Sequence, residues 1–85
     1  MRVEEEIRLR LTQAFSPQTI DVVDESEKHR GHAGYREGGQ SHFQVHIVSE
    51  AFEGMSRIAR HRSVHDALGK ELMSRIHALA LRIET

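Results

Sequence analysis

The chain has 85 residues, with 12 Lys and Arg against 13 Asp and Glu, a formal net charge of −1, seven His and no Cys. That length suits one domain, whose single modest core removes roughly 60% of the extended chain's surface from water. The absence of Cys excludes a disulfide framework and a self-contained thiolate metal site, and the near-zero charge removes the domain-wide basic excess typical of nucleic-acid binders.

The opening Met1-Arg2-Val3-Glu4-Glu5-Glu6 has no apolar run of signal-peptide type and is acidic where a transit peptide is basic. Nothing later is long and apolar enough to span a bilayer, so a cytoplasmic protein is expected. From Val3 to Phe15 the apolar residues Val3, Ile7, Leu11, Ala14 and Phe15 recur at helical spacing, with Ser16-Pro17 as the stop. Thr19 to Asp24 carries Thr19, Ile20, Val22 and Val23, a β-branched set suited to a short strand. Glu25 to Gln40 follows with four glycines, at 31, 34, 38 and 39, and little apolar content, which marks a long connection. Connections of that length are commonly functional or disordered.

In His42-Phe43-Gln44-Val45-His46-Ile47-Val48 polar and apolar residues alternate through Ile47. The period of two puts Phe43, Val45 and Ile47 on a core face and His42, Gln44 and His46 on the other, where the two histidines are expected to be ordinary. Ser49 to Gly54 reads as a turn anchored by Phe52. A helix runs from Ser56 to about Leu68, with Ile58, His61, Val64, His65 and Leu68 on one face and Arg57, Arg60 and Arg62 mainly outside it. His61 belongs on this reading to the core or its margin, hydrogen-bonded through its ring, with His65 beside it. Gly69 breaks or bends the helix, and Lys70 to Arg75 add a short turn. Ile76 to Ile83 alternates as a strand with His77, Leu79, Leu81 and Ile83 on one face and Ala78, Ala80 and Arg82 on the other.

The order helix, strand, strand, helix, strand predicts a single domain over residues 1–85 of mixed α/β (α+β) class. The first two strands pair as an antiparallel hairpin, a helical crossover returns the third parallel to the second, and helices cover one face of a three-stranded mixed sheet.

Several segments together resemble the BolA family. They are Val22-Val23-Asp24-Glu25-Ser26; Ser41-His42-Phe43 followed by Ile47-Val48-Ser49-Glu50-Ala51-Phe52-Glu53-Gly54; Arg60-His61-Arg62-Ser63-Val64; and Ile76-His77-Ala78-Leu79-Ala80-Leu81. The resemblance implies a fold similar to the type II KH domain. It also implies pairing with a monothiol glutaredoxin and a two-iron two-sulfur cluster shared between the two proteins. The glutaredoxin supplies its active-site cysteine together with glutathione; the BolA-like subunit supplies a histidine near its C-terminus and a histidine or cysteine from the loop between its first two strands. By position these are His77 and His29, with His32 as the local alternative to His29. Histidine in place of thiolate lowers the negative charge at an iron–sulfur cluster and raises its potential, and the soft ligands missing from this chain would come from the partner. Cluster trafficking or iron regulation is the implied role.

The runner-up reading is DNA binding by a transcriptional regulator. KH-like folds hold single strands against a GXXG loop, and here the corresponding turn, Gly54-Met55-Ser56-Arg57, lacks the second glycine. Arg57, Arg60 and Arg62 would contact phosphates, whereas Phe15, Tyr35, Phe43 and Phe52, the full aromatic set, offer little for base stacking. No Ser/His/Asp order, paired-carboxylate pattern or nucleotide loop points to an enzyme. Nothing supports a membrane partner or self-association.

Overall fold

A computed structural model describes residues 2–25 and 42–85. Helix α1 (Val3–Phe15) buries Val3, Ile7 and Leu11, one residue per turn, along a single stripe. It stops where Ser16 turns left-handed (φ 44°, ψ 55°) and Pro17 has no N–H to continue the ladder. Strand β1 (Thr19–Asp24) pairs antiparallel with β2 (His42–Val48), Val22 opposite Val45. Strand β3 (Ala78–Glu84) pairs parallel with β2, His42 opposite Ala78 and Val45 opposite Leu81, so β2 is the centre of a three-stranded mixed sheet.

Between β2 and β3 the chain forms a 3-10 turn (Glu50–Phe52), helix α2 (Arg57–Leu68) and the short helix α3 (Lys70–Ser74). Each start has a local cause. Buried Ser49 donates its hydroxyl to the Phe15 carbonyl at 2.7 Å and accepts the Ala51 N–H at 3.1 Å, joining the end of α1 to the 3-10 turn. Ser56 caps α2 by accepting the Ala59 N–H at 3.1 Å. Gly69, at φ 83° and ψ 156°, separates α2 from α3 in a conformation that side chains avoid.

Phe43, Val45 and Ile47 of β2 face Ile7, Leu11, Phe52, Val64, Leu68 and Leu72 in one core. Each fully buried aliphatic side chain in it contributes roughly 1.5–3 kcal/mol of transfer free energy. The α1 and α2 helices pack on that side alone, against β1 and β3 respectively and against each other. The opposite sheet face presents exposed Gln44, Ala78, Ala80 and Arg82.

Two expectations from the α2 periodicity need correction. Ile58 is 63% exposed and His65 is exposed as well, whereas Val64 and Leu68 are buried. The cause is angular: Ile58 lies six residues before Val64, about 120° away from it around the helix, on the side turned from the sheet. Arg60, expected mainly outside, is half-buried, and its guanidinium donates to the Met55 carbonyl at 3.1 Å and the Ile83 carbonyl at 3.5 Å. The last strand opens at Ala78 rather than Ile76, with Ile76 buried in the approach and His77 at a bend.

Candidate functional site

The mixed topology gathers the C-terminal end of β1 and the N-terminal ends of β2 and β3 along one edge of the sheet. There the Glu25 N–H donates to the His42 carbonyl at 2.7 Å, and His42 pairs in register with Ala78. His77 therefore stands beside the point where the chain leaves β1 and the point where it enters β2. Its backbone is fixed from both sides. Arg75 Nη2 lies 2.7 Å from Glu6 Oε2 and 2.9 Å from Glu71 Oε2, tying the end of α3 to α1, and the β3 ladder begins immediately after. The His77 side chain is exposed on this rigid junction.

His42 is the functional candidate that alternation along β2 missed. It lies on the non-core face by parity, as expected, yet it is only 5% exposed, and its ring centroid is 4.9 Å from that of His77 with the planes tilted by 52°. A cavity of about 210 Å³ opens beside it, lined by Glu25, His42, Phe43, Ala78, Leu79 and Ala80. Aligning the starts of the two parallel strands would have revealed the pair, since a parallel neighbour of His42 falls at residue 77 or 78. His46, by contrast, is occupied structurally: its Nε2 is 2.6 Å from Glu84 Oε1. His29 and His32 lie outside the described residues.

At the other end of β3 lies a groove of about 490 Å³ formed with the start of α2, lined by Met55, Arg57, Arg60, His61, Leu81, Arg82 and Ile83. Arg57 and Arg60, two of the three arginines singled out in the sequence, come together here; Arg62 is exposed on α2 and does not line the groove. Arg82 joins them from β3, a contribution its strand position alone did not mark. His61, at the margin of the core as expected, is half-buried and donates its Nδ1–H to the Arg57 carbonyl at 2.9 Å.

A family model for BolA-like proteins matches residues 11–85, nearly the whole described fold. The chain belongs to the BolA family. Among BolA relatives it is 46% identical over 83 residues to BolA-like protein 1 of Mus musculus, covering 98% of this chain but 58% of the mouse protein's length. It is 41% identical over 85 residues to the DNA-binding transcriptional regulator BolA of Escherichia coli, covering 100% of this chain and 77% of the regulator. The solved BolA domain of SufE1 from Arabidopsis thaliana superposes with a TM-score of 0.81 at 39% identity, covering 96% of this chain and 90% of that domain. BolA membership and the mixed α+β architecture thus agree. Among the described residues no helix is long and apolar enough to cross a membrane.

The donor chemistry on the sheet edge can be matched to an iron–sulfur cluster. An exposed imidazole before β3 with a second imidazole alongside, in a chain without Cys, would make at most a partial, nitrogen-only ligand set. It suits a metal whose remaining ligands are thiolates from elsewhere.

Proposed function

We propose that this BolA-family chain is a non-enzymatic adaptor that pairs with a monothiol glutaredoxin and supplies histidine ligands to a shared two-iron two-sulfur cluster, in cluster trafficking or iron regulation. The observation that carries the reading is the exposed His77 held between the α3 clamp and the β3 ladder, on the edge from which the 26–41 connection departs. His29 is four residues beyond Glu25, a span of at most about 14 Å; His32 is the alternative on the same connection. The cluster, when bound, would supply electron transfer or be passed on as cargo. The chain's own part is to orient His77 and to leave the thiolate positions to the glutaredoxin cysteine and to glutathione. Neutral imidazole in place of anionic thiolate would leave the cluster less negative and its potential higher.

The test is to combine the chain with a monothiol glutaredoxin, iron, sulfide and glutathione, and to compare visible absorption and circular dichroism with those of the glutaredoxin alone. A new spectrum accompanied by a stable complex is expected. His77→Ala should shorten the cluster's lifetime at least about tenfold, the lower end of what losing a group that merely supports a metal ligand does, while His46→Ala should leave it unchanged. An unaltered spectrum without a complex defeats the pairing, and equal effects of the two substitutions defeat the ligand role of His77.

The groove supports a second reading, DNA binding. Arg57, Arg60 and Arg82 line it together although the chain as a whole carries a net charge of −1. Such a local cluster would grip phosphates with an affinity that falls steeply with salt.

A further inference from the structure

We propose that His42 and His77 form a two-imidazole site for a divalent transition-metal ion in this chain by itself, before any partner is present. The site shares His77 with the adaptor reading but does not depend on it. Two imidazoles bound to one ion at 2.0–2.1 Å and a tetrahedral angle have ring centroids about 5 Å apart. The His42 and His77 centroids are separated by 4.9 Å, which matches that spacing. Both backbones are held: His42 by the β2 ladder and the Glu25 N–H, His77 by the Arg75 clamp and the strand that follows. Rigid ligands lose little entropy on binding.

The surroundings favour a cation. Glu25 lines the same cavity as His42 and brings negative charge, and no Arg or Lys side chain lines it. Among the described residues no group of three or more His, Asp or Glu side chains converges on one point. The ion would therefore hold two nitrogens and complete its shell with water, which leaves positions open for ligands from another molecule. Imidazole selects Zn2+, Cu2+, Ni2+ and Fe2+ over Mg2+ and Ca2+.

A competing pair exists in the same chain. His61 and His65 stand one turn apart on α2, a spacing that chelates metals on helices. Their environment opposes a cation, because Arg57, Arg60 and Arg82 line the groove that His61 enters and Arg62 lies between the two histidines in sequence. Electrostatics therefore ranks the sheet-edge pair first.

Cu2+ is the probe, titrated into the full chain alone. Electron paramagnetic resonance counts the coordinated nitrogens, and competition with a chelator measures affinity. A first-bound ion with two imidazole nitrogens is expected. His42→Asn and His77→Ala should each remove one nitrogen and weaken binding at least about tenfold, whereas the His61→Gln/His65→Gln double variant and His29→Ala should not. Because His42 is buried, nuclear magnetic resonance of the unaltered protein provides a second readout: sub-stoichiometric Cu2+ should broaden the ring signals of His42 and His77 together and ahead of the other histidines. First broadening at His61 and His65, or affinity unaffected by His42→Asn in a variant that folds, overturns the proposal. If the Cu2+ site holds but the glutaredoxin mixture yields no cluster, the adaptor reading alone falls. If the cluster forms while Cu2+ never engages His42, the two-imidazole site alone falls.

Discussion

Glu84 has the clearest electrostatic signature among the described side chains. Its carboxyl is held below the ordinary glutamate value, first by the hydrogen bond from His46 at 2.6 Å and then by the charge of Arg82, whose Nε is 3.0 Å away. A carboxyl with a depressed folded-state pKa binds fewer protons when folded than when unfolded over the interval between the two values. Its stabilisation is complete above the unfolded value of about 4.3 and disappears as pH falls through the folded one. Glu84→Gln should therefore lower Tm modestly between about pH 5 and pH 7, with the variant and parent curves converging as pH falls below the ordinary glutamate range. Thermal melts across that range decide the matter; parallel curves at every pH would show that the pair adds nothing to stability. The consequence for the candidate site is a division of labour along β2. His46 is engaged with a carboxylate at the far end of the strand, and His42 borders the cavity at the near end.

At the scale of elements, the approach to His77 depends on where the second helix stops. Gly69 breaks the ladder after Leu68 at φ 83° and ψ 156°, and a Cβ placed there would come within 3.2 Å of Arg10 Nη1. That guanidinium donates to the Leu68 carbonyl, so it is not free to swing away without loss. Gly69→Ala should destabilise the domain by about 1–3 kcal/mol, the cost of holding an alanine in a region only glycine populates readily. In a domain of this size that corresponds to a Tm drop of about 4–8 °C per kcal/mol. A melt within one degree of the parent would show that the α2–α3 junction relaxes freely. Elements set by local chemistry were legible from sequence. Periodicity and Ser16-Pro17 bound α1, β-branched residues mark β1, strict alternation marks β2, and Gly69 marks the break. Ile58 and His65 were misplaced because a helical stripe wide enough to hold five residues has two edges, and only the sheet beneath determines which edge is covered. His42 was misjudged for a related reason. Alternation gives the face of a strand, but burial at its first residue depends on a neighbour 35 positions later in the chain.

Across the whole molecule the two candidate sites occupy opposite ends of one strand. His77 precedes the first residue of β3 and Arg82 is near its last, five residues on, which at strand spacing is about 16 Å. At the first, Glu25 and His42 line a cavity of about 210 Å³ with His77 beside His42, and at the second Arg57, Arg60 and Arg82 line a groove of about 490 Å³. Glu84 and His61 also lie at the arginine end, Glu84 3.0 Å from Arg82, so what distinguishes the two ends of β3 is the arginine cluster. Substitutions more than about 7–10 Å apart with no shared partner combine additively. Arg57→Gln with Arg82→Gln should reduce affinity for a short DNA and flatten its dependence on log salt by up to about two charges, while Cu2+ binding at His42 and His77 stays within twofold of the parent. His77→Ala should do the reverse. Arg60 is left out of that pair because its guanidinium holds the Met55 and Ile83 carbonyls, and removing it would disturb the groove itself. Measuring both ligands on the parent, each variant and their combination yields the coupling directly. If the combined change departs from the product of the separate ones by more than about twofold, β3 transmits strain from one end to the other, and metal loading and anion binding regulate each other through the strand's rigid ladder with β2.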